Sequence, residues 1–136
     1  MIVPKTIRIA AALIDDTDGR LLLVRKSGTE WFMQAGGKIE GGETAVEALI
    51  RELQEEISLT VNSGEVKYLG RFSAPAANEI QSVVDAEVFH IRTFHKPEIS
   101  SEIAEAVWLH AAQADSIPLA PLTRDYILPL ARSLSR

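Results

Sequence analysis

The sequence contains no cysteine, and this absence excludes a disulfide framework, a zinc site built on thiolates and a cysteine nucleophile. Positive charge is also scarce, because 14 Lys and Arg residues stand against 19 Asp and Glu residues, for a net charge of −5. A protein whose main task is to grip a nucleic-acid backbone needs a basic surface. We therefore expect no nucleic-acid polymer among its partners. Single nucleotides stay compatible with this charge, because a metal ion can screen their phosphates.

Long apolar runs are absent as well: none approaches the roughly 18 residues of a membrane span. Lys5 and Arg8 interrupt the apolar start of the chain, which does not resemble a signal peptide. We therefore expect a cytoplasmic protein with no membrane partner. The 136 residues are 46% hydrophobic and 24% charged, as is usual for one globular domain. Since no repeat or linker interrupts them, a single domain over residues 1–136 is predicted.

Residues 44–57 predict one helix. Its buried stripe is expected from apolar residues at helical spacing, namely Val46, Leu49, Ile50, Leu53 and Ile57. Another face carries Glu52, Glu55 and Glu56, which are three and four residues apart. These carboxylates repel one another, so we expect a cation to compensate for them. Mg²⁺ or Mn²⁺ prefers such a set of oxygen ligands.

Four of the seven residues before Glu43 are glycines, at positions 36, 37, 41 and 42. Glycine lets the backbone approach a ligand closely and adopt positive φ. We therefore predict a glycine-rich loop beside the carboxylate-bearing helix. Together the two features indicate a substrate that carries phosphate and binds with a metal ion.

Outside this region, apolar stretches separated by turn residues predict further strands and a second helix. Strands are expected at residues 7–14, 21–26, 65–72 and 82–91, and a helix at residues 123–133 with a kink at Pro129. Loops are expected at residues 73–78, 93–101 and 111–122. Residues 102–109 predict a helical turn or loop that runs into a strand. The order is strands, glycine loop, helix, strands and helix.

The segment from Gly37 to Leu59 resembles the Nudix box. Gly37 is followed after five residues by Glu43, and Glu43 after seven residues by the run from Arg51 to Glu56, with the sequence RELQEE. Two positions depart from the family pattern. Ser58 stands where glycine is expected after the helix, and Ala35 stands where members usually carry a proline before the glycine pair. Either Ser58 adopts the left-handed conformation of that glycine, at a cost of about 1 kcal/mol, or the helix ends differently.

The resemblance implies an α/β fold, the Nudix α/β/α sandwich with a mixed β-sheet between helices, and the predicted element order is compatible with it. It also implies a Mg²⁺-dependent (or Mn²⁺-dependent) hydrolase that cleaves a pyrophosphate linkage in a nucleoside diphosphate bound to another moiety. Nucleoside triphosphates, the substrates of MutT-like members, are the first expectation. ADP-ribose or another dinucleotide or nucleotide sugar is the alternative, because Pro75 lies sixteen residues after Leu59, where members that hydrolyse ADP-ribose often carry proline. A non-catalytic nucleotide-binding module on the same fold is a second alternative, and a homodimer is compatible with all three.

By the same resemblance, Glu52, Glu55 and Glu56 are expected to bind the metal, with the carbonyl of Gly37 completing the set. The resemblance also implies that Arg51 and Glu43 orient this carboxylate cluster. The general base comes either from the box or from a loop elsewhere. Glu52 is the first candidate for that role, and Glu102 and Glu105 are the next.

Three further residues are candidates for binding the substrate. Arg25, at the end of a predicted strand, either reaches a phosphate or stands in solvent. Lys38, beside the glycine pair, likewise either contacts a phosphate or stands in solvent. Glu87 is predicted to share a strand face with apolar residues, so it either borders the metal cavity or lies at an exposed strand end.

Overall fold

The structure is a computed structural model that describes residues 3–134, and within them it contains seven strands and two α-helices. The strands are β1 (Lys5–Asp15), β2 (Arg20–Lys26), β3 (Phe32–Met33), β4 (Ala35–Lys38), β5 (Lys67–Pro75), β6 (Ser82–Arg92) and β7 (Ile103–His110). The helices are α1 (Ala45–Ile57) and α2 (Leu128–Leu134). Shorter 3₁₀ turns occur at Ser63–Glu65 and Ala111–Ser116, and a π-helical turn at Thr123–Ile127. No helix of this part of the chain has the length and hydropathy to cross a membrane.

All seven strands form one mixed sheet. Its main path runs β3-β2-β1-β6-β5, while β4 pairs with β1 and β7 pairs with β2. The pairing of β1 with β6 is parallel over the whole length of β1, and the other pairings are antiparallel. The expected mixed sheet is therefore confirmed.

Successive residues of β1 point to opposite faces of the sheet, and both faces are covered. On one face, Ala10 and Ala12 belong to a core with Leu49, Leu53 and Ile57 of α1. On the other face, a second core contains residues of β1 and of the C-terminal segment, namely Ala11, Leu13, Leu122, Ile127 and Leu128. Each fully buried leucine contributes roughly 1.5–3 kcal/mol to folding. The two cores produce the expected sandwich of helix, sheet and helix.

Helix α1 starts and ends as the sequence predicts. The hydroxyl of Thr44 accepts a hydrogen bond from the Glu47 amide, and the Glu47 carboxylate accepts one from the Thr44 amide, which is a complete capping box. Ser58 follows the helix with φ of 57°, so of the two possibilities the left-handed serine is the one present. The buried face differs in part, since Val46 and Ile50 are only half-buried.

Residues 35–38 form strand β4 and not the loop that the glycines predict. Gly36 pairs with Ala11, and Gly37 pairs with Ala10. A Cβ at Gly36 would lie 2.2 Å from the Ala10 carbonyl oxygen, and φ at this residue is +142°. Glycine therefore serves here for close approach of two strands.

The C-terminal part differs in detail from the prediction. Instead of one kinked helix, a π-helical turn precedes α2, with the Leu128 amide donating to the Thr123 carbonyl. Pro129 follows and has no amide to continue an α-helical ladder across this point. The predicted strand in the region 102–109 is present, but it already begins at Ile103, and only residues 101–102 form a turn before it. Strand β5 continues through Pro75 into the predicted loop.

Candidate active site

The residues of the box meet where α1 packs against β4. Glu52 and Glu56 lie one helical turn apart and face this strand. The Gly36 amide donates to Glu56 Oε1 at 3.0 Å. The Glu52 carboxyl group lies where a side chain of residue 37 would be, because a Cβ on Gly37 would approach the carboxyl carbon to 2.4 Å. Gly37 is therefore required for the position of Glu52.

Arg51 holds the cluster together from the side. Its Nε donates to Glu43 Oε2 at 2.8 Å, and one terminal nitrogen donates to Glu43 Oε1 at 2.8 Å and to the Lys38 carbonyl at 3.1 Å. The other terminal nitrogen donates to Glu52 Oε1 at 2.8 Å. These bonds to Arg51 lower the pKa of Glu43 to about 2, so Glu43 remains an anion at neutral pH.

The two inward carboxylates each keep one oxygen without a hydrogen-bond partner among residues 3–134. Arg51 binds Oε1 of Glu52, and Gly36 binds Oε1 of Glu56, while no described group binds either Oε2. Neither Oε2 is sealed from solvent, since no buried side-chain oxygen of the described residues lacks a partner. Both oxygens can therefore take a ligand.

Burial governs the protonation of these two groups. Glu56 is only 2% exposed, and burial raises its pKa to about 7 against the opposing effect of the Gly36 amide and of Lys26. The neighbouring charges of Glu52 and Glu102 raise it further. Burial also raises the pKa of Glu52. A cation between them would favour the ionised forms of both.

Glu55 differs from the other two box glutamates. Its side chain is 60% exposed, and its nearest cation is Arg51, with 3.6 Å between their charged atoms. Within residues 3–134, no group of three or more His, Cys, Asp or Glu side chains is already arranged as a metal site. Glu55 thus lies at the rim, and its place among the ligands stays a prediction.

The donor atoms that do converge suit a hard cation. Glu52 and Glu56 offer carboxylate oxygens, and the Gly37 backbone lies beside them. Mg²⁺ is commonly bound through one or two carboxylates, with waters and substrate phosphates filling the other positions. The chemistry of the site therefore fits the expected ion.

Next to the carboxylates is a cavity of about 520 Å³, which lies mainly on the sheet face opposite α1. Its walls are mostly aliphatic and come from distant parts of the chain, including Ile7, Ile9, Met33, Val84 and Leu122. We call mouth the part of its lining that is nearest the carboxylates, namely Gly36, Gly37, Lys26 and Glu102. Gly36 and Gly37 contact Glu56 and Glu52, and the charges of Lys26 and Glu102 act on Glu56. No local pattern in the sequence indicates this cavity, because its walls come together only in the fold.

The structure separates the two loop candidates for a general base. Glu102 lines the cavity mouth and raises the pKa of Glu56 by its charge. Its loop is fixed to the end of α1, where the Ser100 amide donates to the Glu56 carbonyl at 3.1 Å. Glu105 lies on β7, is paired with Arg25 at 2.8 Å, and does not line the cavity. Glu105 is therefore not brought to the carboxylates.

The candidates for substrate binding are likewise divided. Lys38 lines the cavity and approaches Glu79 at 3.7 Å. Arg25 binds Glu105 and the Thr29 carbonyl, and it is not among the residues that line the cavity. Glu87 accepts a hydrogen bond from the Tyr68 hydroxyl at 3.2 Å near the edge of the sheet, and it does not line the cavity either.

Sequence reasoning did not select Lys26, which nevertheless lies close enough to lower the pKa of both Glu52 and Glu56. Lys26 follows Arg25 at the end of β2, where a register irregularity separates the two residues. The sequence shows a pair of positive charges at the end of the strand. Which of the two residues faces the carboxylates depends on the direction of each side chain, and only the structure gives that direction.

Comparison with known proteins agrees with this geometry. Residues 5–130 match the NUDIX domain. The CTP pyrophosphohydrolase of Escherichia coli (strain K12) is 31% identical over 123 residues, which cover 86% of this chain and 85% of that protein. The 8-oxo-dGTP diphosphatase of Haemophilus influenzae is 28% identical over 120 residues, which cover 84% of this chain and 85% of that protein.

Among solved structures, the MutT protein from Methanosarcina mazei Go1 shares the fold with a TM-score of 0.80 and 21% identity, covering 100% of this chain and 99% of that one. The domain match, the curated relatives and the shared fold agree with the box seen in the sequence. The chain therefore belongs to the Nudix family and is a Nudix hydrolase.

Proposed function

We propose that this Nudix hydrolase cleaves nucleoside triphosphates in a Mg²⁺-dependent reaction and releases a nucleoside monophosphate and pyrophosphate. The observation that carries the proposal is the pair Glu52 and Glu56, each with one free oxygen, packed against Gly36 and Gly37, which line a cavity of about 520 Å³. Two relatives that match most of this chain are named for triphosphate substrates, CTP and 8-oxo-dGTP. Their names favour a triphosphate over the other substrates of the family.

We assign the metal to Glu52, Glu56 and the Gly37 carbonyl, with Glu55 reaching in from the rim. When bound, Mg²⁺ supplies neutralisation of phosphate charge and acidification of a coordinated water, and Mn²⁺ can take the same place. The protein itself contributes by holding the reacting groups in position. Little covalent chemistry is required of the protein in phosphoryl transfer, so orientation and electrostatics dominate.

Arg51 and Glu43 act as positioning residues in this scheme. The guanidinium binds Glu43 through two nitrogens and directs its third toward Glu52 Oε1, so Oε2 of Glu52 keeps a fixed direction. Lys26 lines the cavity and lies close enough to lower the pKa of both Glu52 and Glu56, so it can also contact a phosphate bound beside them. Lys38 lines the cavity as well, 3.7 Å from Glu79, and is the second candidate contact for the phosphate chain.

Glu52 is our first choice for the group that accepts a proton from the attacking water. Burial raises its pKa above the usual glutamate value, toward the range in which a carboxylate accepts a proton efficiently at neutral pH. Glu102 takes this role if Glu52 Oε2 serves only as a metal ligand. It lies at the mouth of the same cavity, whereas Glu105 does not.

ADP-ribose, with other dinucleotides and nucleotide sugars, is the second candidate substrate class. It is favoured by Pro75, which lies sixteen residues after Leu59 and lines the cavity. A nucleotide-binding module without activity is the remaining alternative. It does not require the free carboxylate oxygens or the Arg51 and Glu43 pair.

A substrate panel with Mg²⁺, measured with and without chelator, tests the proposal. The panel contains ordinary and oxidised nucleoside triphosphates, ADP-ribose, dinucleotides and nucleotide sugars, and chromatography resolves the products. We expect metal-dependent release of pyrophosphate and monophosphate from a triphosphate. AMP with ribose phosphate would support the second candidate. Nucleotide binding without cleavage of any compound would support the inactive module.

A further inference from the structure

A buried glutamine lies in the wall of the cavity. Gln34 connects β3 to β4 and is 7% exposed, and it lines the cavity. The hydroxyl of Thr123, which is fully buried, donates to Gln34 Oε1 at 2.7 Å. This bond fixes the amide plane and leaves Oε1 engaged.

The backbone keeps Gln34 and Thr123 together although 89 positions separate them in sequence. The Phe32 amide donates to the Pro118 carbonyl, and the Ala120 amide donates to the Phe32 carbonyl, both at 2.9 Å. The segment before Thr123 is therefore attached to the strand before Gln34. The position of the amide is set by the fold on both sides.

The amide nitrogen of Gln34 has no acceptor among residues 3–134. It is not a sealed atom either, because no buried side-chain nitrogen in the described part of the chain lacks a partner. Gln34 is otherwise buried and lines the cavity, so the exposed part of its side chain lies there. The cavity thus contains an N–H donor that only water or a ligand can satisfy.

The surroundings of this donor suit a flat heterocycle. The cavity walls are mostly apolar, with Ile9, Met33 and Leu122 among them, and the described lining includes no aromatic side chain. Ligand pockets commonly combine apolar walls with a few polar groups that determine specificity. Asn78 is the other uncharged amide on the lining, and it belongs to an exposed loop.

We propose that Gln34 recognises the base of the nucleotide substrate by donating from Nε2 to a carbonyl oxygen or an unprotonated ring nitrogen. The inference rests on the proposed function, because it takes the substrate to be a nucleotide. Thr123 already binds Oε1, so Nε2 is the atom of this side chain that lacks a partner and is offered to the base. A base that turns an amino group toward this point leaves the donor unpaired and is disfavoured.

The test compares two substrates that differ only in the base. One is the nucleoside triphosphate that the wild-type protein cleaves best, and the other is ribose 5-triphosphate. In Gln34→Met, we expect the preference for the nucleotide, as a ratio of kcat/KM values, to fall about tenfold, mainly through KM. Gln34→Glu places an acceptor against the acceptor of the base, so its preference falls further. Thr123→Val frees the amide to rotate and lowers the preference in the same direction.

Gln113→Met is the matched control, because Gln113 also accepts one hydrogen bond through Oε1, from the His110 amide, on an exposed turn away from the cavity. Thermal unfolding checks that each variant is folded. An unchanged preference in folded Gln34→Met and Thr123→Val would overturn the inference while the proposed function stands.

Calorimetric Kd values for the same two compounds are measured in parallel, so the inference is decided even without turnover. Binding that discriminates the nucleotide through Gln34, with no cleavage, would overturn only the proposed function. Absence of nucleotide binding by the wild-type protein would overturn both.

Discussion

Arg51 binds Glu43 through two parallel hydrogen bonds of 2.8 Å, from Nε to Oε2 and from a terminal nitrogen to Oε1. The remaining terminal nitrogen donates to Glu52, also at 2.8 Å. One guanidinium thus connects a residue that precedes α1 with a carboxylate on the helix. The planar fork is the feature that lysine lacks, since lysine carries a point charge on a flexible stem.

Arg51→Lys is therefore expected to retain the fold and to lower kcat/KM by about 10- to 100-fold, as loss of a residue that orients metal ligands typically does. Steady-state hydrolysis and thermal unfolding measure the two effects. Arg71→Lys is the matched control, because the exposed Arg71 of β5 forms a similar two-point pair with Asp85 of β6. Equal losses in the two variants would contradict a specific role for Arg51.

Gly37→Ala tests the close approach of β4 to Glu52. The added methyl would lie 2.4 Å from the Glu52 carboxyl carbon, whereas its backbone φ is outside the left-handed range. We expect Glu52 to move and activity to fall by roughly 100-fold, with the fold retained. Gly41→Ala is the control, because a Cβ there has no heavy atom within 4 Å. Activity in Gly37→Ala equal to that in Gly41→Ala would exclude the proposed packing.

Three glutamate-to-glutamine variants identify the general base. At saturating Mg²⁺ we expect Glu52→Gln to lower kcat by about 10²-fold or more and to remove the acid limb of its pH profile. Glu102→Gln should have a smaller effect. Glu105→Gln serves as control, because Glu105 pairs with Arg25 away from the cavity. A larger loss in Glu102→Gln than in Glu52→Gln would transfer the role to Glu102.

The buried Glu56 predicts a pH dependence of stability in the presence of chelator. Its pKa is about 7 in the folded state and near 4.5 in the unfolded state, so the folded state binds the proton more tightly. Stability is thus expected to fall as pH rises from about 4.5 to 7, by up to about 3 kcal/mol.

Urea unfolding of the wild-type protein and of Glu56→Gln measures this slope. The variant should lack it, and Mg²⁺ should recover stability in the wild-type protein at pH 8, where Glu56 is ionised. Parallel pH profiles of the two proteins would contradict the assignment of the raised pKa to Glu56.

Helix α1 was predictable because its signals are local. Thr44 and Glu47 form the capping box, and the apolar residues recur at helical spacing. The same spacing places the three carboxylates on one face of the helix. The left-handed Ser58 could be predicted from the family pattern. The mixed sheet was expected only through the resemblance, since strand pairing joins residues far apart in sequence.

Other features had no local signal. Glycine favours both a loop and a close contact between strands, so Gly36 did not reveal that it pairs with Ala11. Residues 21–24 of β2 are buried on both faces, so no alternation indicated whether Arg25 or Lys26 faces the carboxylates. The contact of Gln34 with Thr123 depends on tertiary packing alone.

The central claim is that Glu56 helps to hold the metal ion on which hydrolysis depends. The most direct measurement is turnover by Glu56→Gln at limiting Mg²⁺, on whichever substrate the wild-type protein cleaves best, with thermal unfolding as a check of the fold. We predict a folded variant whose turnover is lower by about 10²-fold or more. Turnover equal to that of the wild-type protein under these conditions would contradict the assignment of the metal site.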